Sequence, residues 1–198
     1  MAQTKKSISI SSLLGWISVA CIVTGAALFG FVFAPVIQTE LNYQVHHFST
    51  DIRPIDSNLG IVIPKIGANA RIIANTDPYD SHIYQQALTK GVAHATETVL
   101  PGDIGSSFVF SHSSANLLQA RTYNSVFYLL SKLEIGDEVL IYRNGMELKF
   151  TVEETKIIEA TDVSYLHRTV DHPEIILMTC WPAGTDLKRL VVIATISD

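Results

Sequence analysis

The sequence predicts a mainly-β domain: a closed or nearly closed barrel of about seven or eight strands with two or three short helices, behind one transmembrane helix. Three observations carry this expectation. Short runs rich in Val, Ile and Phe recur between Leu59 and Ile196, parted by Gly, Pro, Asn and Asp. The long helices that a doubly wound α/β fold sets between its strands are missing. The apolar excess behind a mean hydropathy of +0.27 and a hydrophobic content of 47% gathers near the N-terminus. No internal repeat or low-complexity tract interrupts the chain.

Residues 1–12 read as a cytoplasmic stub. From Ser7 to Thr39 there is no charged residue, and Leu13 to Val36 is almost wholly apolar or small. Residues 13–37 are therefore a transmembrane helix, long enough for a ~30 Å hydrocarbon core. Lys5 and Lys6 precede it, which places the N-terminus in the cytoplasm and the rest outside the cell. A cleaved signal peptide has a shorter apolar region and a small-x-small site, and this stretch has neither. Cys21 sits mid-span and suits a small apolar residue better than a lipid attachment site. Residues 38–57, polar with two His, form a stalk or N-terminal extension. The catalytic-size domain is 58–198.

Within it, Leu59 to Pro64 is a β-run closed by proline. A turn at Gly67-Ala68-Asn69 leads into a second run, Ala70 to Ile73. Asp77-Pro78-Tyr79-Asp80 is turn chemistry, with Asp80 or Ser81 capping a short helix through Ala87-Leu88. Leu100 to Gly105 is a loop, and Ser107 to His112 is a strand. Thr122 to Lys132 shows helical spacing of Val126, Phe127, Leu129 and Leu130. Asn144-Gly145 between Glu138–Arg143 and Met146–Glu153 is a type I′ hairpin signal. Glu174–Thr179 and Leu190–Ile196 are continuous apolar runs, expected to be central strands.

Cys180 is the only cysteine outside the membrane segment, so the domain has no internal disulfide partner for it. A lone thiol ending an apolar strand, a strand-ending His112 and a strand-opening Arg189 are the types that thiol acyl transfer needs. The thiolate attacks, an imidazolium protonates the leaving amine, and a fixed cation faces the oxyanion. If the last two runs pair antiparallel, Cys180 and Arg189 meet at one end of the sheet, with residues 181–188 as the loop between them. His112 ends its own strand, so all three can share one rim.

These residues resemble the sortases, the cysteine transpeptidases that attach surface proteins to bacterial cell walls or build pili. The resemblance covers most of the chain. It rests on the N-terminal anchor, Ile63-Pro64-Lys65-Ile66, Gly91-Val92-Ala93-His94, Pro101-Gly102-Asp103-Ile104-Gly105, Phe110-Ser111-His112, Leu177-Met178-Thr179-Cys180 and Lys188-Arg189-Leu190-Val191-Val192. Ile176 stands where the family pattern has Thr, and Ser111 where many members have Gly. Cys180-Trp181-Pro182 is similar to the Cys-x-Pro of pilin-linking and housekeeping-like branches, so the class is C- or D-like or a divergent one. Asp77-Pro78-Tyr79 mimics the lid motif of some pilin sortases but follows the first two strands, where a lid precedes them; it reads as a turn.

The resemblance implies a barrel of about eight strands and a two-step reaction. Cys180 attacks the Thr–Gly bond of an LPxTG-like sorting signal, His112 protonates the leaving Gly amine, and Arg189 binds signal backbone and oxyanion. An amine on a peptidoglycan precursor or a pilin lysine then resolves the thioester. The partners implied are surface proteins or pilins bearing a C-terminal sorting signal, together with the membrane. Thr179, Trp181 and Ser111 are candidate substrate-binding residues. Substrate choice is expected in loops near 95–106 and 161–172.

Other readings remain. A membrane-tethered binding module with a vestigial site would not need Cys180, His112 and Arg189 together. Another thiol-dependent cell-wall acyl hydrolase is possible in principle, but an L,D-transpeptidase has Ser-x-Gly-Cys, and an NlpC/P60 peptidase has Cys before His. The seven His lack zinc-type spacing, so no metal and no cofactor are expected. A net charge of −5 with no basic face speaks against nucleic acid. His94, His167 and His172 read as surface or packing residues, and Asp103 and Asp186 as loop carboxylates with no assigned role.

Overall fold

The computed structural model describes residues 10–45, 52–113 and 126–197, in two compact units, 1–40 and 41–198. The first holds most of α1 (Ile10–Val45), which continues into the stretch expected as a stalk. Its window Leu14–Phe31 has a mean hydropathy of 1.9 and none of it is buried. An exposed helix this apolar is stable only with its side chains in an apolar medium.

The second unit is the barrel. Its strands are β1 (Leu59–Ile63), β2 (Ala68–Thr76), β3 (Val92–Ala95), β4 (Gly105–Phe110), β5 (Glu138–Arg143), β6 (Met146–Glu159), β7 (Pro173–Trp181) and β8 (Lys188–Ile196). They close in the order β1-β2-β3-β4-β7-β8-β6-β5. The β2–β3 and β4–β7 pairs are parallel and the other pairs antiparallel. Closure leaves no free edge along the sheet.

Alternation along the strands makes two apolar clusters, one on each side of the sheet. Ile61, Ile63, Val109, Ile141, Phe150, Leu177 and Val192 fill the barrel. Phe108, Phe110, Ile176, Val191 and Ile193 form an outer patch, covered by Ala87 and Leu88 of α2 (Ser81–Leu88) and by Tyr165 and Leu166. The second patch matters for function, because it floors the site described below.

Local chemistry explains most elements. Asp80 caps α2, its carboxylate accepting from the His82 and Ile83 amides at 2.9 and 3.3 Å. Asn144 and Gly145 both take positive φ, 52° and 81°, as a type I′ turn requires. A Cβ on Gly91 would sit 2.2 Å from the Arg71 carbonyl oxygen, so only glycine lets β3 start this close to β2.

Two expectations need correction, and one strand went unmarked. The helical spacing over Thr122–Lys132 does not mark a helix where the structure describes it; residues 126–129 are turns and Leu130–Lys132 is a short 3₁₀ turn. Phe127 and Leu130 are fully buried and Leu129 nearly so, all in the barrel cluster, which gives the run its apolar rhythm without helix geometry. Residues 122–125 of that expectation lie outside the described residues. β6 continues past Glu153 to Glu159, because its register shifts between Val152 and Glu154 and its second half pairs only with β8. β3 is a strand that the runs of β-formers did not mark.

Candidate active site

The β7–β8 ladder sets the first two groups. In its register Cys180 lies directly opposite Arg189, as Ile176 lies opposite Ile193 and Met178 opposite Val191. Ile176, Val191 and Ile193 belong to the outer patch and Met178 packs against it, so Cys180 and Arg189 end the same face. Cross-strand neighbours on one face of an antiparallel pair stand about 5 Å apart at Cβ. β4 runs parallel to β7, with Phe110 beside Met178, and delivers His112 to the same end. The rim is tied by two bonds across these strands. Ser111 N–H donates to the Met178 carbonyl at 3.1 Å, and Thr179 Oγ1 donates to the Ser111 carbonyl at 2.9 Å.

Cys180, His112 and Arg189 line one groove of about 540 Å³. Phe108, Phe110, Ile158 and Met178 contribute its apolar floor. Tyr84, Gln85 and Leu88 of α2 stand on one side, with Pro78 and Tyr79 of the preceding turn. Val163, Tyr165 and Leu166 of the β6–β7 connection stand among the other lining residues, and Asp162 and Asp186 are its carboxylates. That connection is held firmly. Asp162 Oδ1 accepts from the Ser164 amide and hydroxyl at 3.0 and 2.6 Å, and Arg168 Nε donates to both oxygens of the buried Glu174 at 2.8 and 3.1 Å.

Burial acts on both titrating groups and drives them apart. It pushes the Cys180 thiol up, an effect that the Arg189 charge opposes and the Asp186 charge reinforces. Burial pushes the His112 imidazole down. Even with ordinary values of ~8.5 and ~6.5, thiolate and imidazolium coexist in only about 1% of molecules near neutrality. The two shifts lower that fraction further. His112 Nε2 lies 3.2 Å from Gln85 Oε1. Arg189 Nη1 donates to the Asp186 and Lys188 carbonyls, both at 3.0 Å, and among the described residues the guanidinium has no carboxylate partner. A cation fixed by backbone beside a thiol is suited to an oxygen anion.

A family model described as Sortase domain matches residues 61–197. The chain belongs to the sortase family. Sortase D of Bacillus subtilis (strain 168) is 29% identical over 133 residues, 66% of this chain and 59% of that protein, so the match spans less than two thirds of the relative's length. Among solved structures, sortase C-1 from Actinomyces oris matches with a TM-score of 0.61 at 27% identity, over 83% of this chain and 85% of that one. A lid mutant of sortase A from Corynebacterium diphtheriae matches with 0.59 at 25%, over 80% and 75%.

In this sortase the three residues expected at one rim do share it. The supporting residues divide. Ser111 lines the groove and is buried, with an Oγ that has no hydrogen-bond partner among the described residues. Thr179 lines it too, but its hydroxyl is engaged by Ser111. Trp181 packs against the barrel cluster and is not among the groove residues. Of the two loops expected to choose substrate, 161–172 supplies four lining residues and 95–106 supplies none. The reason is direction: the second loop precedes β4, whereas His112 follows it. Of the two loop carboxylates without an assigned role, Asp103 is held by Arg143 at 2.7 Å and Asp186 reaches the groove. Among the described residues no three His, Cys, Asp or Glu cluster as a metal site.

Sequence reading missed α2 as part of the site. Tyr84 and Gln85 line the groove with Leu88 because they precede it by four and three residues, the spacings that bring helix side chains together. The signal was the Asp80 cap followed by the polar pair Gln85-Gln86, where one glutamine turns inward and the other does not. Asp77-Pro78-Tyr79 forms a turn, with Asp77 Oδ1 accepting from the Tyr79 amide at 2.8 Å, yet Pro78 and Tyr79 edge the groove.

Proposed function

We propose that this sortase is a single-pass membrane protein, N-terminus cytoplasmic and barrel outside, that cleaves an LPxTG-like sorting signal and transfers the acyl group to an amine. The observation that carries the proposal is the Cys180–Arg189 cross-strand pair at the groove end where β4 delivers His112. The Cys180 thiolate attacks the Thr carbonyl carbon of the signal. Arg189 faces the oxyanion of the tetrahedral intermediate. The C–N bond to Gly breaks as the His112 imidazolium gives its proton to the departing amine, leaving a thioester on Cys180. An amine on a peptidoglycan precursor or a pilin then attacks the thioester carbon. Neutral His112 takes the amine's proton and the thiolate leaves. The apolar floor of Phe108, Phe110 and Ile158 suits the leucine end of such a signal. Likeness to a sortase D and a sortase C-1 supports a class in that range.

The test uses the full chain in detergent with an LPxTG-containing peptide. Mass spectrometry should find a thioester adduct on Cys180 and, with an added amine, the transpeptidation product. Cys180→Ala should abolish both. An intact protein that forms no adduct and cleaves nothing would make it a tethered binding module with a vestigial site.

A further inference from the structure

Gln85 is placed with unusual care for an amide outside the proposed reaction. α2 is fixed at its start by the Asp80 cap, its carboxylate accepting from two helix amides. It is fixed along its length by burial of Ala87 and Leu88 in the outer patch. The Tyr84 ring meets Phe110 edge-on, with centroids 6.2 Å apart and planes at 74°. Phe110 lies two residues before His112, so the helix is anchored to the strand that carries the imidazole. Gln85 follows Tyr84 directly, and its Oε1 stands 3.2 Å from His112 Nε2.

We infer that Gln85 is a positioning residue for His112: its amide oxygen accepts the Nε2–H and so orients the ring and sets its tautomer. This rests on the transpeptidase reading for its use, though not for its geometry. A neutral imidazole donates through one nitrogen and accepts through the other, so the partner of one fixes the role of the other. An amide oxygen also holds an imidazolium N–H more strongly than a neutral one. Gln85 therefore favours the acid form of His112, against the burial that opposes it. The other charged or titratable groups of the groove are Cys180 on β7, Arg189 on β8, Asp186 after β7, Asp162 and Tyr165 after β6, Tyr84 on α2 and Tyr79 before it. None of these is altered by the substitutions below.

The experiment reads ring and rate separately in the full chain. Nitrogen-15 spectra of the histidines, with His112 assigned by its loss in His112→Gln, should show the neutral ring protonated at Nε2. Gln85→Met should weaken that preference, lower the titration of His112 and reduce kcat/KM about tenfold, the scale of one hydrogen bond to a charged group. Gln85→Glu should keep the Nε2 proton and raise the titration, moving the acid limb of the pH–rate profile upward. A purely structural glutamine would move neither limb. A neutral ring protonated at Nδ1, or an unchanged His112 titration in both variants, overturns the inference. A wild-type chain that cleaves no peptide sinks the transpeptidase reading instead and leaves the nitrogen spectra to decide this one.

Discussion

β3 and β4 are antiparallel neighbours, and each is tied to one histidine, His94 within β3 and His112 just past β4. Burial pushes both imidazoles down. Their surroundings differ. His94 is fully buried. Its Nδ1 accepts from the Asn75 amide at 3.2 Å and its Nε2 donates to the Val99 carbonyl at 2.9 Å, with Thr98 Oγ1 3.1 Å away. A second proton would set an N–H against the Asn75 N–H, so the ring is locked neutral. His112 sits half-buried in a groove with a thiol and a guanidinium. The lowered titration belongs to a packed, hydrogen-bonded ring in one and, on the proposed reaction, to the proton donor in the other. What separates them is the company each ring keeps: Asn75, Thr98 and Val99 around His94, and a groove shared with Cys180 and Arg189 for His112.

Exchanging the two residues' fates is the largest test of that difference. His112→Gln should lower kcat/KM about a thousandfold while leaving the melting temperature within a degree or two. His94→Phe should do the reverse. It takes the hydrogen-bond partner from the part-buried Asn75 N–H and Val99 carbonyl and leaves a cavity-lining polar edge against the new ring, which costs about 3 kcal/mol and about 10 °C in melting temperature. Below that temperature the variant should still form the Cys180 adduct at the wild-type rate. An inactive but stable His94 variant would erase the distinction.

Acidity should separate them next, since each pH unit between a group's folded and unfolded titration midpoints changes stability by about 1.4 kcal/mol. The folded value of His94 lies below its unfolded value of ~6.5, so between the two the unfolded chain binds more protons. Stability from this group is complete above pH ~6.5 and is lost as the pH falls toward the folded value. Thermal melts of wild type should fall through that window more steeply than those of His94→Phe. His112 adds a contribution of the same sign. The pH–rate profile answers to different groups. Its acid limb should lie below the ordinary imidazole value and its alkaline limb above the ordinary thiol value, since burial moves His112 down and Cys180 up. His94→Phe should leave both limbs where they are.

The sequence marked the rim better than the corner, for physical reasons. β7 and β8 are continuous runs of branched side chains buried on both faces, and antiparallel pairing of two such runs through a short loop leaves little freedom in where Cys180 and Arg189 fall. β3 is only Val92-Ala93-His94-Ala95, weak in β-formers. It is a strand because Gly91 admits it beside β2 and β4 completes its other edge, which are tertiary facts. Trp181 looked like a groove residue because it follows Cys180, yet strand alternation turns the next side chain to the barrel. Gln85 left no periodic trace, since its meaning depends on how α2 docks.

α2 joins the two regions, and the smallest prediction tests how tightly. The chain leaves the His94 corner at Asn75 and Thr76, turns through Asp77–Asp80, and enters the helix that brings Gln85 to His112. Asp80 is exposed and its cap is local, so Asp80→Ala should cost about 1 kcal/mol. If the helix were held mainly by its cap, the lost order would reach Gln85 and the rate would fall nearly as far as in Gln85→Met. Ala87, Leu88 and the Tyr84–Phe110 contact lie beside or beyond Gln85 and are untouched by the change, so fraying should stop in the first turn. The expected outcome is a loss of about threefold in kcat/KM, with faster amide exchange at His82 and Ile83 and unchanged exchange along β7 and β8. A tenfold loss with exchange spread through Leu88 would show that corner and rim act as one unit.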